Sequence, residues 1–267
     1  MRDPFFFTML DTLPTPVIFA HRGASAHAPE NTLAAFELAL QQGADAIELD
    51  VKLSADGQVV VIHDPTVDRT TGARGKVKDL SLADLRTLDA GSFFSAEFRG
   101  EKIPTLAEVF EAVGRRTFIN VELTNYNTPR DHLVESVCML VKKFGLQKRV
   151  LFSSFLPGNL TTARRYLPEV PTGLLALNGV LGWWARSFGF AFGKYDALHP
   201  NLKDTTQSLI YFAHRLKRRI HVWTVNDEAD LRRLFKWGVD GVFTDDPQLA
   251  VRLRGEKAGD EKPSDER

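Results

Sequence analysis

The sequence predicts a single (β/α)8 barrel, and three observations carry that prediction. Eight short strand-like runs fall near Val17, Ala46, Phe118, Val150, Thr172, Ala197, Ile220 and Gly241, and helical periodicity follows most of them. Residues able to do chemistry (His21, Glu48, Asp50, Glu122, Ser153, His199, Trp223, Asn226 and Thr244) gather at the C-terminal ends of those runs, where barrel enzymes build their sites. Random placement would scatter them to both ends. Regular periodicity weakens over one long stretch, 65–104, which reads as an insertion covering an active-site mouth.

The first run, Val17-Ile18-Phe19-Ala20, is a buried strand that delivers His21-Arg22-Gly23 onto a tight turn. Asn31 is placed to cap a helix through Leu33, Phe36 and Leu40. In the second strand, alternation puts Ile47, Leu49 and Val51 on one face and Glu48 and Asp50 on the other. Two carboxylates on one face of a buried strand are costly without a compensating positive charge. A turn at Ala55-Asp56-Gly57 makes Val59-Val60-Val61-Ile62 a hairpin partner, which returns His63-Asp64 towards Glu48 and Asp50. Within the insertion Ser81 caps a short helix, and Thr105 with Glu108 forms a capping box where regular structure resumes. The third barrel strand alternates Ile119, Val121 and Leu123 with Asn120, Glu122 and Thr124, adding a third carboxylate to the polar side. The segment 177–194 is rich in glycine and aromatic residues, among them Trp183, Trp184, Phe188, Phe190 and Phe192. It reads either as a covering loop or short helix packed on the core, or as an apolar lid able to touch lipid. The last helix is expected to end near Leu253, giving a barrel over 1–254 and a disordered tail over 255–267.

Composition narrows the class. The 267 residues are 43% hydrophobic and 25% charged, with zero formal net charge, so no whole-chain field favours nucleic acid or an anionic membrane. The single cysteine, Cys138, excludes an internal disulfide and sits in an apolar helical pattern. No window approaches the roughly 18 apolar residues of a membrane span. The run Phe5-Phe6-Phe7-Thr8-Met9-Leu10 is too short for a secretory signal and lacks a small-residue cleavage site, which makes the cytoplasm the default location.

Glu48, Asp50 and Glu122 offer only oxygen, so the implied ion is hard, Mg²⁺ or Ca²⁺. His21 and His63 suit a general acid and a general base, and Arg22 offers a bidentate fork for phosphate or carboxylate. A divalent ion, an arginine and two imidazoles together fit displacement at phosphorus.

In order, His21-Arg22-Gly23, Pro29-Glu30-Asn31-Thr32, Glu48-Leu49-Asp50-Val51, Asp56-Gly57, His63-Asp64, Arg69-Thr70-Thr71, Ile103-Pro104-Thr105-Leu106, Val121-Glu122-Leu123, Trp223-Thr224-Val225-Asn226 and Thr244-Asp245 closely resemble the glycerophosphodiester phosphodiesterase family. The resemblance runs from about Val17 to Leu253. It implies a (β/α)8 TIM barrel with a segment inserted after strand two, matching 52–102 here. It further implies a divalent ion on Glu48, Asp50 and Glu122, acid–base work by His21 and His63, and hydrolysis of a small-molecule glycerophosphodiester to sn-glycerol 3-phosphate and an alcohol. Arg22, Trp223, Lys203 and His199 are the candidates for holding substrate and phosphate. Many members carry a lysine where this chain has Thr124, so the expectation is that Arg22 or Lys203 takes its place or that charge neutralisation rests more on the metal. Two other readings are a lysophospholipase D-like hydrolase, favoured if 177–194 forms an apolar lid, and a barrel that binds glycerophosphates without turnover.

Overall fold

The computed structural model describes residues 9–260, so 5–8 of the N-terminal apolar run and the end of the chain at 261–267 lie outside the described residues. Eight parallel strands close on themselves: β1 (Val17–Ala20), β2 (Ala46–Leu53), β4 (Phe118–Leu123), β5 (Val150–Ser154), β6 (Thr172–Ala176), β7 (Ala197–Pro200), β8 (Arg219–Val222) and β9 (Gly241–Thr244). The β1–β2 and β1–β9 pairings complete the barrel. The extra strand β3 (Val59–Val61) pairs antiparallel with β2, as the hairpin reading requires.

Helices return the chain between parallel neighbours, because parallel strands cannot be joined by a tight turn. These are α1 (Leu33–Gln41), α4 (Leu106–Ala112), α5 (Leu133–Phe144), α6 (Pro157–Tyr166), α9 (Gln207–Arg215) and α10 (Glu228–Trp237), and α11 (Pro247–Asp260) follows the last strand. Their buried faces and the outward side chains of the strands form the main apolar core, which includes Cys138. The insertion carries α2 (Asp68–Thr71) and α3 (Leu82–Thr87) and a small core of its own, with Val60, Ile62, Val67, Val77 and Leu85. That core explains how 40 weakly periodic residues hold a shape: local apolar contacts replace regular hydrogen-bonded repeats. The Thr105–Glu108 capping box forms, and Ser81 caps α3 in a second box, closed by Asp84, that the sequence reading did not name.

Two expectations are corrected. Thr32, rather than Asn31, caps α1, its hydroxyl accepting from Ala35 N at 3.2 Å. The last helix does not stop near Leu253: α11 runs to Asp260, so residues 255–260 are helical. The segment 177–194 forms two short helices, α7 (Gly179–Arg186) and α8 (Phe188–Phe192), between β6 and β7.

Candidate active site

Inside the barrel each strand changes character along its length. Val17, Phe19, Ala46, Phe118, Leu151 and Phe243 fill the interior with apolar side chains. Two or four residues further along the same inward faces stand His21, Glu48, Asp50, Asn120, Glu122 and Ser153. Strand alternation thus stacks a polar layer on an apolar plug.

The turn after β1 begins the site. Arg22 and Gly23 take left-handed backbone, with φ of 56° and 84°. A Cβ on Gly23 would lie 2.7 Å from Ala35, so glycine alone lets the turn press against α1. Arg22 N then donates to Glu48 Oε2 at 2.9 Å.

Asp50 and Glu122 are direct partners in the β2–β4 register, and Glu48 stands beside Asn120 two residues earlier. One oxygen from each of the three carboxylates lies within 4.8 Å of the others. Asn31 Nδ2 donates to Asp50 Oδ2 at 3.0 Å, and Tyr126 Oη donates to Glu122 Oε1 at 2.7 Å. Burial, then Asp50, pushes the Glu122 carboxyl up to about 8. Burial with the neighbouring Asp50 and Glu122 charges raises Glu48 well above its usual range. Burial also works against the Asp50 anion, but Arg22, His63 and Asn31 outweigh it and hold Asp50 low. Glu48 Oε1 is buried without a hydrogen-bond partner. Crowded carboxylates with an orphaned oxygen are what an oxygen-coordinated divalent cation relieves, so these residues fit the ion the sequence implies.

Both histidines are gripped in the same way. His21 Nδ1 is 2.6 Å from Asp245 Oδ1, and His63 Nδ1 is 2.7 Å from Asp64 Oδ1. Burial opposes the Asp245 anion, yet His21, Asn226 and Ser25 together hold it at about 2. Arg69 is the main cause that keeps Asp64 at about 2. Ionised carboxylates can only accept, so each Nδ1 carries the hydrogen and each Nε2 is left to exchange a proton. Arg69 ties the second pair to the first strand's turn. It donates to Asp64 Oδ2 at 2.7 Å and to both oxygens of Glu30 at 2.6 and 2.8 Å, while Arg22 Nη1 reaches Glu30 Oε1 at 3.0 Å.

His21, Arg22, Glu48, His63, Glu122 and Trp223 line one cavity. Trp223 is oriented by its indole N–H, which donates to His199 O at 2.7 Å, and Phe155 packs edge-on against it at 5.7 Å. His199 reaches the same cavity only as its floor. It is fully buried, 3.1 Å from His221 Nδ1, and burial lowers it to about 3, so it meets the cavity as a neutral ring. Lys203 is exposed in the turn Leu202–Asp204 and does not line this cavity. No residue of 177–194 lines it either, although Leu175 just before that segment does.

The model of the glycerophosphoryl diester phosphodiesterase family matches residues 21–249. The chain belongs to this family. A glycerophosphodiester phosphodiesterase of Caldanaerobacter subterraneus is 39% identical to this phosphodiesterase over 238 residues, covering 89% of this chain and 97% of the relative. One of Bacillus altitudinis is 37% identical over 90% of this chain and 98% of its own. An Oleispira antarctica phosphodiesterase, solved in complex with the product sn-glycerol-3-phosphate, superposes with a TM-score of 0.83 at 32% identity, covering 90% of this chain and 97% of that one.

Sequence reasoning missed part of this phosphodiesterase's site. Asp245, Asp64, Glu30 and Arg69 all stand inside the quoted motifs, but the Asp245–His21 and Arg69–Glu30 contacts cross 224 and 39 residues of chain and cannot be read from spacing. Tyr126 carried no signal. Of the two cations expected to replace the missing charge, Arg22 lines the cavity and Lys203 does not, and a third stands nearer Thr124. Lys52, facing Thr124 across the β2–β4 pair, donates from Nζ to Thr124 O at 2.9 Å and to its hydroxyl at 2.8 Å. The inward face of β2 therefore continues Glu48, Asp50, Lys52, and the cation arrives from the neighbouring strand.

Proposed function

We propose that this phosphodiesterase hydrolyses glycerophosphodiesters to sn-glycerol 3-phosphate and an alcohol, with His21 and His63 moving the protons and Glu48, Asp50 and Glu122 holding one Mg²⁺ or Ca²⁺. The observation that carries the reading is the matched pair of imidazoles, each fixed at Nδ1 by an ionised carboxylate and both lining the cavity of the three-carboxylate cluster. One imidazole takes the proton of the attacking oxygen and the other supplies a proton to the leaving alkoxide, a division that displacement at phosphorus demands. When bound, the cation supplies positive charge to the non-bridging phosphate oxygens. Arg22, whose Nε is buried 3.4 Å from Asp50 Oδ2, adds a fixed cation on the same cavity. Trp223 and Phe155 supply an apolar wall for the glycerol carbons.

The test is release of glycerol 3-phosphate from soluble glycerophosphodiesters, before and after EDTA and after returning Mg²⁺ or Ca²⁺. EDTA should abolish release and one of the two ions should restore it. His21→Ala and Glu122→Gln should each lower kcat by about 10²–10⁴-fold. Normal rates in both variants would overturn the assignment.

A further inference from the structure

Between β6 and β7 the chain departs from the usual solvated outer helix of a barrel. Over 177–194 the charged residues are Arg186 and Lys194. Arg186 is turned inward, onto Leu177 O, Gly179 O and Asp204. Ser187 spends its hydroxyl on Trp183 O at 2.7 Å. Apart from Asn178 and Lys194, the exposed side chains are apolar. Val180 is 91% exposed, Leu181 and Phe192 83%, Trp183 and Phe188 57%, and Trp184 51%. The aromatic members touch one another, Trp183 to Phe188 at 5.8 Å and Phe188 to Phe192 at 6.2 Å between ring centroids. The face is held firmly from behind: Phe190 is buried against Phe212, and Gly179 N donates to Asp204 Oδ2 at 2.6 Å. A fixed cluster of this kind on a chain's exterior marks a contact surface.

We infer that the α7–α8 face docks on a phospholipid membrane containing anionic headgroups. Two features favour a bilayer over a protein partner. Protein interfaces surround an apolar centre with hydrogen-bonding groups, whereas this face has turned Arg186 and Ser187 inward and presents rings and aliphatic chains. Two tryptophans beside leucine, valine and phenylalanine form the composition that settles at the boundary between headgroups and acyl chains. Charge is complementary as well. Lys194 lies just past Gly193, the C-cap of α8, and Lys203 adjoins Asp204, the residue that anchors α7. Both are exposed, and among the described residues neither ammonium has a hydrogen-bond or ion-pair partner. An apolar face flanked by free lysines is drawn to anionic lipid. The face begins at Leu177, two residues after Leu175 on the cavity wall, so docking brings the cavity mouth close to headgroup level.

The inference goes beyond the hydrolase reading, and soluble-diester turnover on the same samples keeps the two apart. The full chain is floated with vesicles of phosphatidylcholine alone and with added phosphatidylglycerol, while tryptophan emission is recorded. Wild type should float with the phosphatidylglycerol vesicles and its emission should shift to the blue. Leu181→Asp should weaken binding by more than about 10-fold, since an aspartate cannot enter the acyl boundary. Lys194→Glu should weaken it severalfold, and both variants should keep wild-type turnover of the soluble diester. Wild type that fails to float with either vesicle would overturn the inference. So would undiminished floating of Leu181→Asp, or a concentration-dependent dimer that Leu181→Asp dissociates.

Discussion

At the scale of single residues, the site depends on side chains that never need to touch substrate. Asp245 binds His21 Nδ1, accepts from Asn226 Nδ2 at 2.5 Å and from Ser25 Oγ at 3.0 Å, and is thereby fixed as an anion that selects the His21 tautomer. Asp245→Asn preserves the shape but offers an amide that can donate to Nδ1 and reverse the tautomer. It should lower kcat by about 10²–10⁴-fold with a much smaller change in KM, as loss of a tautomer-setting carboxylate does elsewhere. Steady-state kinetics on a soluble diester decide this, and a variant that changes KM alone would show that Asp245 merely shapes the cavity. Lys52 teaches a related lesson. Alternation puts residues 48, 50 and 52 on one face, so the cation was in view, but only the β2–β4 register shows that its ammonium lands on Thr124.

At the scale of elements, the turns at strand ends aim the chemistry. The turn after β1 needs Gly23 for two separate reasons, its φ of 84° and the Ala35 backbone 2.7 Å from where a Cβ would sit. Gly23→Ala should therefore destabilise the fold by about 2–4 kcal/mol, measured as a lower urea midpoint with an unchanged m-value. A shift of a few tenths would mean that the turn relaxes and that its geometry is not imposed by α1. Most elements were legible because periodicity and caps are local: the Thr105 capping box and the Ser81 cap are four-residue patterns. Asn31 was misread for the same reason. It has a capping side chain in a capping place, yet Asp50, nineteen residues away, takes its amide.

At the scale of the whole molecule, the barrel interior carries a cost that shows in its pH dependence. His199 and His221 are both fully buried, and burial drives His199 to about 3 and His221 well below its ordinary value. Gly173 leaves the space His199 occupies, since a Cβ there would collide with the imidazole. An unfolded chain protonates both rings near their ordinary value of about 6.5 while the native pair stays neutral, so stability is full above that pH and falls as pH drops below it. The urea midpoint of the cation-saturated enzyme should fall between about pH 7 and about pH 5, and His221→Asn should flatten that fall. Saturation matters because the raised Glu48 and Glu122 carboxyls of the cation-free protein work in the opposite sense. Equal slopes in wild type and variant would remove the histidine pair as the cause.

What the sequence determined by itself is whatever depends on nearest neighbours along the chain: eight strand–helix repeats, the inward side of each strand, and hence that His21, Glu48, Asp50, Glu122 and His63 share the barrel's open end. Side-chain alternation has a period of two and needs no tertiary information. Tertiary structure alone decided which partner each of those groups meets. It set Asp245 on His21, Arg69 between Asp64 and Glu30, Lys52 on Thr124, and His199 in the cavity floor against His221. Those pairings follow from strand register and barrel closure, which bring together residues up to 224 positions apart, and a hydrogen bond is decided over a few tenths of an ångström that no local pattern encodes.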